Sequence, residues 1–369
     1  MRDIHNPSSS ASSVPSSLGL YVDDFVYFSE DPEVESLFER LLWERVKVDF
    51  MGLVEWFLGI HFSWRMTSSR VNVHLNQTGF ATNLVEQFCR DSWDATLMAT
   101  PFLIVPGFLL TLLLLQPMLM ILPHNFVGRR HIRLIGSIGW LATVTWPDLA
   151  PVHSFLLSYN YKPSSGHMCA ALHVLHYSLN SRLWDTLHIV FYGPGSHVCS
   201  LDVETYTDTK PPLPSHLSPL TSYSDACWGS QIGSAIRDGT LLPLFKCQSM
   251  SGGIIFRQGG PIAWTAVRQE RTSLSSCEAK SRATNEVSKL LMGIRHLADD
   301  VREGGNDIAD TAATSPLYND NESCAKWSHN MTTKQIRHME MRENAVREWV
   351  QDSLLKVLHV PGRITDQPC

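Results

Sequence analysis

Leu20-Tyr21-Val22-Asp23-Asp24-Phe25-Val26-Tyr27-Phe28 sets two short apolar runs on either side of a pair of aspartates. Apolar and aromatic runs of this length around a two-residue break predict two strands joined by a tight turn, with Asp23 and Asp24 at the tip. Adjacent carboxylates repel each other, and a divalent cation would relieve that repulsion. Aspartate is also a common turn former, which gives the same residues a purely structural reading. Outward from the hairpin the pattern predicts a helix over about Pro32–Val46, strands near Glu55–Trp64 and Arg70–Leu75, and a helix near Thr78–Cys89. Upstream, residues 1–17 are a Ser-rich leader that offers nothing to a core and is expected to be disordered.

A second informative region follows the proline-rich linker 210–219 (KPPLPSHLSP). Its pattern predicts a short strand ending near Asp225, then a hairpin of Gly252–Arg257 and Pro261–Thr265. A long helix over Ser276–Leu297 carries Ala279, Ala283, Val287, Leu290, Ile294 and Leu297 at a helical period. A strand ending at Asp320, helices near Glu322–Ser328 and Thr333–Gln351, and a strand Leu355–Val360 complete a small mixed α/β domain. Between the two regions, Ile135 to Asn180 reads as helical, with a break at Trp146-Pro147.

Strand ends and a helix start can bring Asp225, Glu278 and Asp320 to one edge of a sheet. Such a set suits a hard cation with oxygen ligands, magnesium or manganese. Two such ions ~4 Å apart would clamp the attacking water and the leaving oxygen of a phosphodiester. The structural alternative is that Glu278 complements the helix dipole and Asp320-Asn321 forms a turn and cap.

Composition narrows the field. A chain of 369 residues suggests two or three domains at ~150 residues each. Hydrophobic residues at 44% suffice for cores, and 30 basic against 36 acidic side chains give a formal charge of −6. A nucleic-acid role must therefore rest on a local basic surface or on metal ions held by carboxylates. Eight cysteines without a CxxC pair argue against a zinc finger or a disulfide scaffold. The N-terminus carries no secretory pattern, so a cytoplasmic or nuclear location is expected.

Three further features have bland and sharp readings. Phe102–Leu122 is uncharged, long enough to cross a ~30 Å hydrocarbon core and followed by Arg129-Arg130-His131-Ile132-Arg133, but Pro106-Gly107 and Gln116-Pro117 interrupt it. Cys169, His173 and His176 share a helical face that suits zinc, beside Met168, Leu172 and Leu175 that suit plain packing. Arg337, His338, Arg342 and Arg347 make a basic helix face, diluted by Glu340, Glu343 and Glu348.

In this order, the segments resemble the C-terminal half of the polymerase region of copia-type retrotransposons, a reverse transcriptase followed by RNase H. Tyr21-Val22-Asp23-Asp24 resembles the catalytic hairpin of the palm, and Trp56-Phe57-Leu58-Gly59-Ile60 the segment after it. Leu134–Thr143 with Trp146-Pro147-Asp148 is similar to the connecting segment. Tyr223-Ser224-Asp225-Ala226, Gly260–Trp264, Ser275–Ala279, Asn319-Asp320-Asn321 and His338–Glu343 are similar to the RNase H part. The resemblance implies an α+β and α/β chain: a partial polymerase palm and thumb region at 18–101, then an atypical apolar insert with a basic flank at 102–131. A helical connecting segment at 132–209, the linker, and an RNase H-like mixed-sheet domain at 220–369, truncated at its C-terminus, would follow. Implied activities are DNA synthesis from an RNA template and hydrolysis of RNA in RNA–DNA hybrids. Asp23 and Asp24 would serve the polymerase site. Asp225, Glu278 and Asp320 would serve the RNase H site, with Asp225 bridging two Mg2+ or Mn2+ ions. The implied partner is an RNA–DNA hybrid or other nucleic acid; no dedicated protein partner and no membrane association are expected.

Departures from the family pattern shape the functional expectation. The third palm aspartate and the fingers have no counterpart ahead of Tyr21. Lys280 stands where the family carries an acid, and is expected on a different helix face from Glu278, acting only at long range. The family's last acidic segment is missing, which leaves Asp366 as its substitute. Phe102–Leu122 replaces a polar linker, as compensating frameshifts would make it do. The expectation is a remnant inactive as a polymerase and weak or inactive as an RNase H. Alternatives are a non-catalytic nucleic-acid-binding remnant, or a membrane-tethered protein anchored by Phe102–Leu122.

Overall fold

The computed structural model describes residues 16–29, 31–67, 70–88, 124–161, 163–178, 189–191, 220–227, 248–257, 260–302, 314–329 and 345–360. Phe102–Leu122, the linker 210–219, Arg337, His338, Arg342 and Asp366 lie outside them. Among the described residues no helix is long and apolar enough to cross a membrane.

Strands β1 (Ser16–Tyr21) and β2 (Asp24–Ser29) form the predicted hairpin, with a shifted tip. Tyr21 pairs with Asp24, so Val22-Asp23 is the turn and Asp24 belongs to β2, one residue off the sequence expectation. Val22 adopts φ 52°, a region that a β-branched side chain normally avoids. Helix α1 (Pro32–Arg45) starts on Asp31, whose Oδ1 accepts the Glu33 N–H at 2.8 Å, and Pro32 fills a first-turn position that needs no donor. Phe38 of α1 meets Phe25 and Tyr27 at ring-centroid distances of 6.4 and 4.9 Å, and Tyr27 Oη donates to Glu39. No residue of α1 is buried, so the aromatic contacts hold an open unit.

The next sheet runs in the order β3 (Trp56–Phe57), β4 (Ile60–Thr67), β5 (Arg70–Asn76), β6 (Ile189–Phe191), all antiparallel. The single strand expected over Glu55–Trp64 is instead broken by Leu58-Gly59, both at positive φ, the backbone that a two-residue hairpin turn requires. Helices α2 (Thr78–Phe88), α3 (His124–Val144), α4 (Leu149–Leu157) and α5 (Ser165–Ser178) share one core that includes Leu84, Ile138, Leu141, Leu156 and Leu175. Helix α3 stops before Pro147, which has no N–H to continue it. Polar groups pin the same core: Thr145 Oγ1 donates to Gln77 Oε1 at 2.8 Å, and Tyr177 Oη donates to Asp148.

A five-stranded mixed sheet follows, in the order β11-β10-β7-β8-β9. Its strands are β7 (Thr221–Cys227), β8 (Met250–Arg257), β9 (Gly260–Arg268), β10 (Ser315–Asn319) and β11 (Leu355–His359). Strands β7, β8 and β9 are an antiparallel meander, while β10 lies parallel to both β7 and β11. Helix α6 (Ser276–Arg302) makes the return between β9 and β10; α7 (Glu322–His329) and α8 (Ala345–Gln351) lie between β10 and β11. The chain is thus a mixed α/β structure, as the element order implies.

Helix α6 lies on one face of this sheet. Its buried line runs through Ala279, Ala283, Val287 and Leu291, together with Ser281, Thr284 and Ser288. This corrects the expected stripe, because Leu290 is only half-buried and Leu297 is exposed. Gly253 of β8 makes the close approach possible: a Cβ there would sit 2.0 Å from Val287 Cγ2. Trp264 of β9 donates its indole N–H to the Ala142 carbonyl at 2.5 Å, tying the sheet to α3.

Candidate functional site

Two of the predicted carboxylates meet beside the end of β10: Asp320 follows that strand, while Asp225 lies within β7, which runs on to Cys227 rather than ending near Asp225 as expected. Parallel pairing sets Asn319 opposite Ser224, so the residues that follow, Asp225 and Asp320, stand side by side. Asn319 fixes this junction. Its buried Nδ2 donates to Ser224 O at 3.0 Å and to Ser224 Oγ at 3.1 Å, and its Oδ1 accepts the Asn321 N–H at 2.8 Å. Ser224 Oγ also lies 3.0 Å from Thr284 Oγ1 of α6, so one hydroxyl–amide network joins both strands to the helix. Sequence reading named the Asn319-Asp320-Asn321 and Tyr223-Ser224-Asp225-Ala226 motifs, but not this bracing; Thr284 gave no signal because its role depends on packing between distant segments.

Lys280 sits between the two aspartates. Its Nζ is 3.1 Å from Asp225 Oδ1 and donates to both carboxylate oxygens of Asp320. The side chains of Lys280 and Asp320 are each 15% exposed and that of Asp225 36%. Burial opposes the charge on Lys280, but the hydrogen bonds and charges of Asp320 and Asp225 outweigh it and hold the pKa above the ordinary lysine value. The expectation that Lys280 points elsewhere and acts at long range is therefore wrong. Side chains on a helix lean toward its N-terminus, and a lysine is long enough to reach back from α6 to the strand ends.

Glu278 takes the structural alternative. Ser275 Oγ accepts the Glu278 N–H at 3.1 Å, while Glu278 Oε2 accepts the Leu274 N–H at 2.7 Å. This is a variant of the capping box, satisfying two donors at the start of α6. Its other oxygen, Oε1, accepts from Arg282 Nη2 at 2.7 Å. Asn321 likewise caps α7, accepting the Cys324 N–H at 2.9 Å. The magnesium that the resemblance implies does not fit these residues as they stand, since each of the three carboxylates already faces a cation or helix donors. Among the described residues, no three His, Cys, Asp or Glu side chains gather into a group that could hold a metal ion.

Elsewhere the candidates stay apart. Asp23 and Asp24 are exposed at the hairpin, and no third carboxylate joins them among the described residues. Cys169 is buried within α5, where desolvation raises its thiol pKa, and it forms no metal group with His173 and His176. Arg347 lies over the Trp327 ring, 4.9 Å from its centroid, and its Nε donates to Trp327 O at 3.2 Å.

Among the described residues, hollows border the sheet. A groove of about 290 Å³ is lined by Asp225, Asp320, Tyr223, Tyr318, Trp264 and Pro147, with the two tyrosine rings stacked at 5.2 Å. A second, of about 240 Å³, is lined by Arg268, Arg271, Arg282 and Lys289 against Glu270 and Glu286.

Comparison with known proteins finds a likeness to a retroelement polyprotein. The chain is 21% identical over 342 residues, 92% of its length, to the Retrovirus-related Pol polyprotein from transposon TNT 1-94 of Nicotiana tabacum. It spans only 22% of that polyprotein. It is also 24% identical over 159 residues to the Secreted RxLR effector protein 161 of Plasmopara viticola, covering 43% of this chain and 87% of the effector. No protein-family model matches. Among solved structures, LC11-RNase H1 isolated from compost superposes with a TM-score of 0.28 at 10% identity, covering 40% of this chain and 88% of that one. The foamy viral protease-reverse transcriptase in complex with RNA/DNA hybrid gives 0.41 at 12% identity, over 95% of this chain and 38% of that one. Superpositions this loose carry no structural argument.

Proposed function

We propose that the chain is the reverse transcriptase–RNase H portion of a copia-type retrotransposon polyprotein, retaining nucleic-acid binding but having lost its chemistry. The observation that carries this reading is the junction of β7 and β10. Asp225 and Asp320 are adjacent, as a phosphodiester hydrolase would need them, yet a lysine stands between them. The sequence likeness to the tobacco transposon polyprotein over 342 residues supports the origin. An RNA–DNA hybrid is the proposed ligand. The cleft lined by Arg268, Arg271, Arg282 and Lys289, with Glu270, Glu286 and the Arg282 partner Glu278 against them, offers a small local excess of positive charge for its phosphates despite the acidic whole chain. Magnesium or manganese belongs to the ancestral chemistry, for which Asp225, Glu278 and Asp320 would be the surviving ligands.

The test is a gel-shift titration with an RNA–DNA hybrid over a salt series, alongside primer extension and hybrid cleavage in magnesium. Binding that weakens with salt, without extension or cleavage, is the expected result. Incorporation abolished by Asp23→Asn or Asp24→Asn, or cleavage abolished by Asp225→Asn, would overturn the loss of chemistry. Absence of hybrid binding at low salt would overturn the proposed ligand.

A further inference from the structure

At the edge formed by β7, β10 and the start of α6, every one of the three carboxylates already faces a cation. Lys280 engages Asp225 and Asp320 together, and Glu278 is held by Leu274 N–H and Arg282. The lysine is also fixed in place by its neighbours. Ala279 and Ser281 on either side of it are fully buried, and Ala279 and Ala283 pack with Ala226 of β7. The helix therefore cannot turn to withdraw Lys280 without breaking that contact. A divalent ion entering between Asp225 and Asp320 would face an ammonium already held there, and like charges at such a distance repel.

We propose that Lys280 is a built-in substitute for a divalent cation, keeping this edge folded and metal-free, and that neutralising it opens a latent cation site on Asp225 and Asp320. The reading of the chain as RNase H-like supplies only the reason to expect a metal at this edge. The proposal itself rests on the three-residue contact. In the wild type the ammonium does part of what a metal would do for folding, hydrogen-bonding both neighbouring aspartates and offsetting one of their two charges. It cannot do what a metal does for hydrolysis, because it has no open coordination position to hold and acidify a water molecule.

Mn2+ binding to the full chain, read by electron paramagnetic resonance and by thermal unfolding in chelator or in millimolar Mn2+, tests this without nucleic acid. The wild type should bind Mn2+ only weakly and melt no differently in chelator. Lys280→Gln should melt lower in chelator, recover in Mn2+, and bind the ion about tenfold or more tightly than the wild type. Adding Asp225→Asn should remove that gain. Lys280→Arg keeps the charge and should behave as the wild type does. Wild-type protein that binds Mn2+ as tightly as Lys280→Gln would overturn the proposal. So would a Lys280→Gln protein that gains no affinity, or one whose unfolding Mn2+ does not reverse. Because no hybrid is present, failure here is separable from failure of the hybrid-binding reading.

Discussion

Adding a single methyl group at Gly253 should push α6 off the sheet. The new Cβ would lie 2.0 Å from Val287 Cγ2, 3.2 Å from Val287 Cβ and 3.0 Å from the Tyr223 carbonyl oxygen. Carbon atoms settle at about 3.5–4.0 Å, so the Val287 methyl must retreat by roughly 1.5–2 Å. Valine on a helix has little rotameric freedom, and Val287 is fully buried in the cluster with Ile255 and Leu291. Overpacking of this kind costs about 1–3 kcal/mol. Val287→Ala alone removes two methyl groups and should cost about 2 kcal/mol. Combining the two removes the 2.0 Å clash and leaves approaches of 3.0 and 3.2 Å, which small shifts absorb. The double variant should therefore be about 1–2 kcal/mol more stable than the sum of the single effects predicts. Gly252→Ala is the control: it faces away from α6, with Thr265 O at 4.0 Å as the nearest atom. Urea unfolding followed by tryptophan fluorescence reads all four proteins, since Trp327 is buried in the same cluster. Additive single effects to within about 0.5 kcal/mol, or equal damage from Gly252→Ala, would refute this account of the packing.

Three other outcomes follow from the geometry. Val22→Gly should stabilise the β1–β2 hairpin by up to about 1 kcal/mol, because Val22 holds φ 52° while 78% exposed; amide-exchange protection that falls at Tyr21 and Asp24 would contradict this. Tyr177→Phe should cost about 1–3 kcal/mol, since it strips the donor from the half-buried Asp148 while the other carboxylate oxygen, Oδ1, is already unpartnered; an unchanged urea midpoint would count against it. His131 is fully buried, and burial together with the nearby His167 lowers its pKa to about 4. The folded state keeps it neutral while the unfolded chain takes up a proton below about pH 6.5, so stability should be full above that pH and fall as pH drops toward 4, by up to about 3 kcal/mol. His131→Leu should flatten that slope, and a slope unchanged by the substitution would exclude His131 as its source.

The hairpin, the long helix and the strands carrying Asp225 and Asp320 were legible because alternation and helical period are local signals. So was the cap at Asn321, since an Asx cap needs only a few consecutive residues; Glu278 was read only as complementing the helix dipole, and its bond back to the Leu274 N–H was not. Register was not legible: nothing in Val22-Asp23-Asp24 says which two residues turn, since the pairing of Tyr21 with Asp24 belongs to both strands at once. Strand β6 is three residues long and owes its conformation to β5. The buried side of α6 contains Ser281, Thr284 and Ser288, so a stripe drawn through apolar residues alone ran on to Leu290 and Leu297 and missed Leu291. Lys280 was misjudged for a related reason. Angular position on a helix describes the Cα, whereas the charge of a lysine sits at the end of a long lever.

The pairing of β6 with β5 has a consequence for the order of synthesis. On a translating ribosome, β5 emerges well before β6, and all the helices from α2 to α5 are made in the interval. Until Ile189–Phe191 leaves the exit tunnel, the backbone of Val73–Leu75 presents an open edge to any other nascent strand. Slow codons placed between α5 and β6 would lengthen this exposed interval, and the yield of soluble chain would register the delay.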